Sequence, residues 1–175
     1  MNNKKILVVY FSKTGEQYSV GNITEGNTAI IAKMIAKQTS GSLFEIKLKN
    51  DTYPASYKAL TEVALSEKKA NARPQTDGDV TNFAEYNIVF LGSPNWWGDL
   101  PMALYTFIKA HDWSGKIVVP FVTHEGSGLS SIPSKIKNAT NAEMLEGLAI
   151  YGHVAQNDRE QAKEDVMHWL NKLGF

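Results

Sequence analysis

Three short stretches of this 175-residue chain bring together residue types that can do chemistry jointly. The first is Ser12-Lys13-Thr14-Gly15, followed at a distance by Gly26-Asn27-Thr28 at the head of a helical pattern. Hydroxyls, a glycine turn and a helix N-terminus are what a phosphate needs. The helix offers free N–H groups and the positive end of its dipole, and the hydroxyls add neutral donors. A plain turn with an Asn or Thr cap uses the same letters, and that alternative stays open. The second stretch is Gly92-Ser93-Pro94-Asn95-Trp96-Trp97-Gly98-Asp99-Leu100-Pro101. Adjacent side chains on an extended segment point opposite ways, so one Trp can enter the core while the other covers something or meets water. A flat ligand would use that large rigid face. Gly98, directly after the pair, is where a peptide reorients most cheaply beside such a ligand. The third stretch is Thr123-His124-Glu125-Gly126-Ser127-Gly128, whose two glycines let the backbone approach a ligand closely.

The same letters exclude other chemistries. There is no GxxxxGK[ST] phosphate loop and no GxGxxG dinucleotide fingerprint. His124 and Ser127 lack a GxSxG context and an identifiable triad acid. His124-Glu125 opens an HExxH pattern that fails because position 128 is Gly. The absence of cysteine removes a thiol nucleophile, a Cys-based zinc site and an Fe–S cluster. His111, His153 and His168 stand without ligand spacing and read as structural or surface residues.

Alternating strands and helices must position these stretches. Lys5–Phe11, Asn87–Gly92 and Lys116–Val122 are continuous apolar runs, as in strands buried on both faces of a parallel sheet. Leu43–Leu48 alternates and reads as an edge strand; Leu145–Tyr151 is a weaker fifth strand. Pro120 offers no donor, which predicts a bulge or a broken ladder there. Apolar residues at helical spacing predict helices over Thr28–Gln38, Pro54–Ala70 and Pro101–His111, with the two prolines in first turns. A further helix spans Asp158–Leu173, with Asp158 as its cap and Gly174 as its stop. A short helix lies between the fourth and fifth strands. This order implies a parallel sheet with helices on both faces and right-handed crossovers, binding ligands at the carboxyl ends of its strands. The three stretches follow the first, third and fourth strands.

Composition sets the frame. Hydrophobic residues make up 43% and charged residues 21%, a globular balance, and the length suits one domain over 1–175. Lys plus Arg and Asp plus Glu are 18 each, which argues against a nucleic-acid partner. Residues 1–75 hold 11 basic and 6 acidic side chains, and residues 76–175 hold 7 and 12, read as two faces of one domain. The apolar run at Ile6–Phe11 is too short for a signal-peptide core or a membrane span, so no membrane partner and a cytoplasmic location are expected.

Together the three stretches resemble the flavodoxin family, its bacterial branch with a tryptophan-rich second loop, over nearly the whole chain. The resemblance implies a single doubly wound α/β domain with a five-stranded sheet of order 2-1-3-4-5 and one non-covalent FMN. By the same resemblance Ser12, Lys13, Thr14, Asn27 and Thr28 surround the phosphate, Pro94, Asn95, Trp96, Trp97 and Gly98 hold the isoalloxazine, and Thr123, His124, Glu125, Gly126, Ser127 and Gly128 line its other edge. It implies an electron carrier cycling FMN through quinone, semiquinone and hydroquinone, exchanging electrons with flavin or Fe–S reductases and acceptor enzymes, as a monomer or weak dimer. An FMN-dependent NAD(P)H reductase of quinones, nitro compounds or azo dyes is the alternative. A phospho-receiver shares the topology but needs acids where Phe11-Ser12 and Gly92-Ser93 stand. Three departures mark this sequence. Glu16–Glu25 splits the phosphate motif. The net charge is zero where carriers of the family are acidic, with Asp99 and Glu125 expected as the charges beside the flavin. Residues 123–128 offer no aromatic but His124, leaving one flavin face open or covered by Tyr18.

Overall fold

The computed structural model describes residues 4–175. Ile6–Tyr10 forms β1, with Leu7, Val8 and Val9 all buried, as the unbroken apolar run requires. A hairpin of Gly15–Gln17 (β2) and Gly21–Ile23 (β3) follows, then α1 over Asn27–Thr39. Ser42–Glu45 is β4; the chain then leaves the sheet at buried Ile46, and Lys47–Leu48 (β5) runs beside the later pair Thr76–Asp77 (β6). Between them lies α2, Tyr57–Lys69. Ile88–Pro94 is β7, Met102–Ala110 is α3, Ile117–His124 is β8 and Ile132–Thr140 is α4. Glu143–Met144 (β9), Leu148–Tyr151 (β10), Gly152–Asn157 (α5) and Arg159–Leu173 (α6) complete the chain.

The main sheet is parallel, in the order β4-β1-β7-β8, with β9 and β10 sharing the fifth position. This is the expected order 2-1-3-4-5. Side chains alternate across it. Leu7, Val9, Val89 and Leu91 pack under α3 and α4, while Val8, Phe90 and Val119 pack under α1 and α6.

The fifth strand is not the single run expected over Leu145–Tyr151. Pro120 breaks it. The carbonyls of Lys116 and Val118 accept from Glu143 N and Leu145 N at 3.2 and 3.0 Å. Successive residues of a parallel strand address alternate neighbours, so Pro120 faces this same side and has no N–H to give. Pairing resumes at Phe121↔Leu148, while the β7 side runs unbroken through Leu91↔Pro120. The edge strand likewise ends before Leu48: Ile46 N gives the last rung to Tyr10 O at 2.7 Å, and Lys47–Leu48 then pairs with Thr76–Asp77 instead.

Helix bounds follow their caps. Ser56 accepts from Ala59 N at 3.4 Å and starts α2 two residues past Pro54, so that proline stands outside the first turn. Pro101 occupies the cap position of α3 itself. Asp158 accepts from Gln161 N at 3.2 Å, and Gly174 closes α6 at φ 85°. The β2–β3 hairpin, the β5–β6 pair and α5 were not expected from the sequence.

Buried Lys116 fixes the chain before β7. Its ammonium donates to the carbonyls of Phe83 (3.0 Å) and Tyr86 (2.7 Å) and lies 4.7 Å over the Phe83 ring. Lys116→Met would leave those carbonyls buried without a donor. A loss of about 1–3 kcal/mol is expected, to be read as a lowered urea midpoint at unchanged slope.

Candidate functional site

A cleft of about 410 Å³ opens where β7 and β8 end, beside the start of α1. Of the residues expected at a site, it gathers Asn27, Pro94, Asn95, Trp96, Trp97, Gly98, Thr123, His124, Glu125 and Ser127. Ser12, Lys13, Thr14, Thr28, Gly126 and Gly128 lie behind or beyond its lining. Gln17, Tyr18, Tyr57, Leu60, Thr61 and Ala64 complete it. Of these, only Tyr18 was expected near a ligand. The α2 residues read in sequence as an ordinary apolar stripe, and no local signal ties that stripe to the cleft.

The two tryptophans divide as extended backbone predicts, but through a turn. Trp96 and Asp99 exchange backbone hydrogen bonds of 3.0 and 3.1 Å, leaving Trp97 and Gly98 at φ 58° and 70°. Two successive left-handed residues make the tight hairpin turn that glycine favours and tryptophan rarely enters. Trp97 is held there from outside: its indole N–H donates to Thr61 O at 2.9 Å, and Lys68 Nζ donates to Trp97 O at 2.6 Å. Trp97 is 50% exposed. Trp96 packs edge-on against Phe11 and Tyr53, at 5.4 and 5.5 Å between centroids. Asn95 ties the second loop to the third: Oδ1 accepts from Gly98 N, and Nδ2 donates to Gly128 O and Ser130 Oγ, all at 2.9 Å.

Asp99 does not face the cleft as a free charge. It is 6% exposed, accepts from Leu100 N (2.7 Å) and Tyr105 OH (2.6 Å), and pairs with Lys135 at 2.5 Å. Burial, reinforced by Asp99, holds the Tyr105 phenol well above its ordinary range.

At the opposite end α1 begins after Gly26, which has no side chain to cap it, and with no acid in its first turn. Ser12 Oγ accepts from Ala29 N at 3.1 Å and Ile30 N bonds Gly26 O at 3.2 Å, while among the described residues nothing accepts from the N–H groups of Asn27 and Thr28. Asn27 Oδ1 is buried without a partner. Thr28 and Thr123 are turned inward and bond each other at 2.8 Å, knitting α1 to β8. Lys13 reaches Asp51 at 3.3 Å. Thr14 stays exposed at the start of the hairpin. The Glu16–Glu25 insert is that hairpin. Glu16 Oε2 accepts from Tyr57 N at 2.7 Å, and Tyr18 lies 5.7 Å from the Tyr57 ring on the cleft wall.

The third loop carries a cluster. Glu125 accepts from His153 N and pairs with His153 Nδ1, both at 2.7 Å. Tyr151 lies between His153 (5.1 Å) and His124 (4.4 Å). His153, expected as a structural or surface residue, therefore belongs to the surroundings of the site. His124 Nδ1 accepts from Gly126 N at 2.9 Å, which puts the neutral ring's proton on Nε2. Burial, opposed by Glu125 and aided by His153, lowers the pKa of His124 from its usual 6.5. The unfolded chain then binds the proton more readily, so this contribution to stability is complete above about pH 6.5 and declines as the pH falls. His124→Gln should flatten the acid side of a plot of melting temperature against pH.

A helix terminus with two free N–H groups, beside an orphaned amide oxygen that needs a donor, complements a phosphate attached to a polyol. FMN carries such a phosphate on a polyol, together with a flat ring of the kind that an exposed indole face can cover. Among the described residues no group of three His, Asp or Glu could hold a metal, and no helix is long and apolar enough to cross a membrane.

The sequence pattern described as Flavodoxin matches residues 5–173. The chain belongs to the flavodoxin family. Its fold recurs in a candidate flavoprotein from Bacteroides eggerthii at 27% identity, covering 99% of each chain with a TM-score of 0.75. A second, from Bacteroides uniformis, is 29% identical over 94% of this chain and 98% of its own, at 0.71. A flavoprotein from Lactobacillus acidophilus, solved in complex with FMN, shares the fold at 21% identity, over 89% of this chain and 97% of its own, at 0.69. No curated protein matches the chain in sequence. In this member of the family, Trp97, Asn27 at the head of α1, and Glu125 all line the one cleft.

Proposed function

We propose that the protein binds FMN and carries electrons between partner redox proteins. The observation behind this reading is the cleft itself, with an anion-ready helix terminus at one end and a rigid aromatic wall at the other. Bound FMN supplies the redox chemistry, since it can take up electrons singly or in pairs. The chain's own residues do the rest. The N–H groups of Asn27 and Thr28, with Ser12 and Thr14 nearby, receive the phosphate. Trp97 and the Pro94–Gly98 turn flank the ring and keep water from it, and the Thr123–Gly128 loop lines the other edge, with Glu125 reaching back toward the head of α1. Tyr18, on its braced hairpin, covers the approach from α2. The family membership and the FMN complex of the Lactobacillus acidophilus relative support this reading.

An anaerobic redox titration of the purified protein, with and without NADPH, tests it. The expected result is one FMN per chain, two separated one-electron potentials, and no reduction by NADPH unless an external reductase is added. Rapid bleaching by NADPH alone would make the protein a reductase. Failure to bind any flavin would remove the reading altogether.

A further inference from the structure

The lining of the cleft includes one carboxylate and no ammonium or guanidinium group. That carboxylate is Glu125, with its side chain 15% exposed. It sits near the head of α1: a methyl group added at Gly152 would lie 2.3 Å from Asn27 Nδ2 and 2.9 Å from Glu125 Oε1. A fixed negative charge there repels the anion that the helix terminus attracts. Lys13, the cation of the first loop, is turned onto Asp51 and gives no relief.

The group placed to offset Glu125 is His153. Its ring and its backbone N–H both reach the carboxylate at 2.7 Å. Few other charges face it. Tyr151 packs on its ring from β10, and His124 lies beyond Tyr151 at the end of β8. Further along, Gln156 of α5 donates to the Glu25 backbone carbonyl, and the Glu25 carboxylate is held by Lys33 and by Arg159 of α6. Histidine changes charge near neutral pH. A neutral ring with its proton on Nδ1 can keep the same hydrogen bond, so protonation alters the charge of the pair and not its geometry.

We propose that protonated His153 masks Glu125 and thereby sets a pH-dependent affinity of the cleft for the phosphorylated flavin. His153 is a positioning residue, acting on the ligand through Glu125. The pair is neutral with the imidazolium and carries −1 without it, so FMN binds more tightly in mild acid and more weakly above neutrality. The inference rests on the FMN reading. Riboflavin, which has no phosphate, should not sense the change.

The test is a fluorescence titration of FMN and riboflavin from about pH 5.5 to 8.5, spanning the usual histidine range. The FMN dissociation constant of the wild type, divided by that of His153→Gln at the same pH, should rise about twofold to fivefold across the range, the scale of a partly exposed ion pair, while the same ratio for riboflavin stays level. His153→Gln keeps a donor but no charge and should lose the tighter binding on the acid side. Glu125→Gln should lose the weakening above neutrality. The phosphate's own ionisation and any part played by His124 are common to wild type and His153→Gln. Identical pH profiles in those two proteins would therefore overturn the proposal. Absence of FMN binding by the wild type at every pH would overturn the cofactor reading and this proposal with it.

Discussion

Asp99→Ala is expected to cost about 2–6 kcal/mol of stability, because the Leu100 N–H and the Tyr105 hydroxyl would each lose about 1–3 kcal/mol when left without an acceptor. Three groups lose their acceptor at once: Lys135 Nζ, Tyr105 OH and Leu100 N. The damage should not stay in the core. Asp99 is also the last residue of the turn that presents Trp97 and Gly98, through its two backbone bonds to Trp96. Denaturant unfolding should show the loss of stability, and weaker quenching of bound flavin should show the loosened turn. Asp99→Asn retains an acceptor for Leu100 N and Tyr105 OH and should fall between wild type and Ala. If Asp99 acted as a surface charge beside the ligand, Ala and Asn would shift the flavin potential alike and leave stability near wild type.

Gly26→Ala should weaken FMN at least about 100-fold while changing riboflavin little. An added Cβ would lie 1.9 Å from Ser12 Oγ and 2.9 Å from Lys13 O, so one of the two segments must move. Either movement pulls Ser12 from Ala29 N and misdirects the first turn of α1. Hydrogen bonds to a charged group are worth about 1.5–3 kcal/mol each, and two of them account for the factor of 100. Parallel titrations with FMN and riboflavin read this directly. An equal loss for both flavins would mean that the substitution acts on the fold and not on phosphate recognition.

Much of this architecture was legible in the sequence because its signals are local. Continuous β-branched runs mark strands buried on both faces, and Pro120 announces a break that the fifth strand duly shows. The Trp96-Trp97 pair announces divided loyalties, and the structure divides it. What could not be read depends on contacts distant in sequence. Nothing near Asp99 says that Lys135, 36 residues on, will neutralise it. Nothing near His153 says that it will close on Glu125, 28 residues earlier. The α2 wall is invisible for the same reason, since Leu60 and Ala64 follow ordinary core spacing and only the fold turns them to the cleft. Thr28 and Thr123 each read in sequence as a ligand hydroxyl, and only the fold shows that they also bond each other.

The insert at Glu16–Glu25 interrupts a binding motif in sequence, yet in space it works as a strut. The loop that begins at Ser12 runs into the hairpin, Glu16 grips the start of α2 at Tyr57, and α2 in turn holds Trp97 through Thr61 and Lys68. The first loop is thus joined to Trp97 across the cleft through a short relay of direct bonds. The two ends of the cleft are therefore tied by one chain of contacts, and a double-mutant cycle pairing Glu16 with Trp97 measures how far they act as a unit.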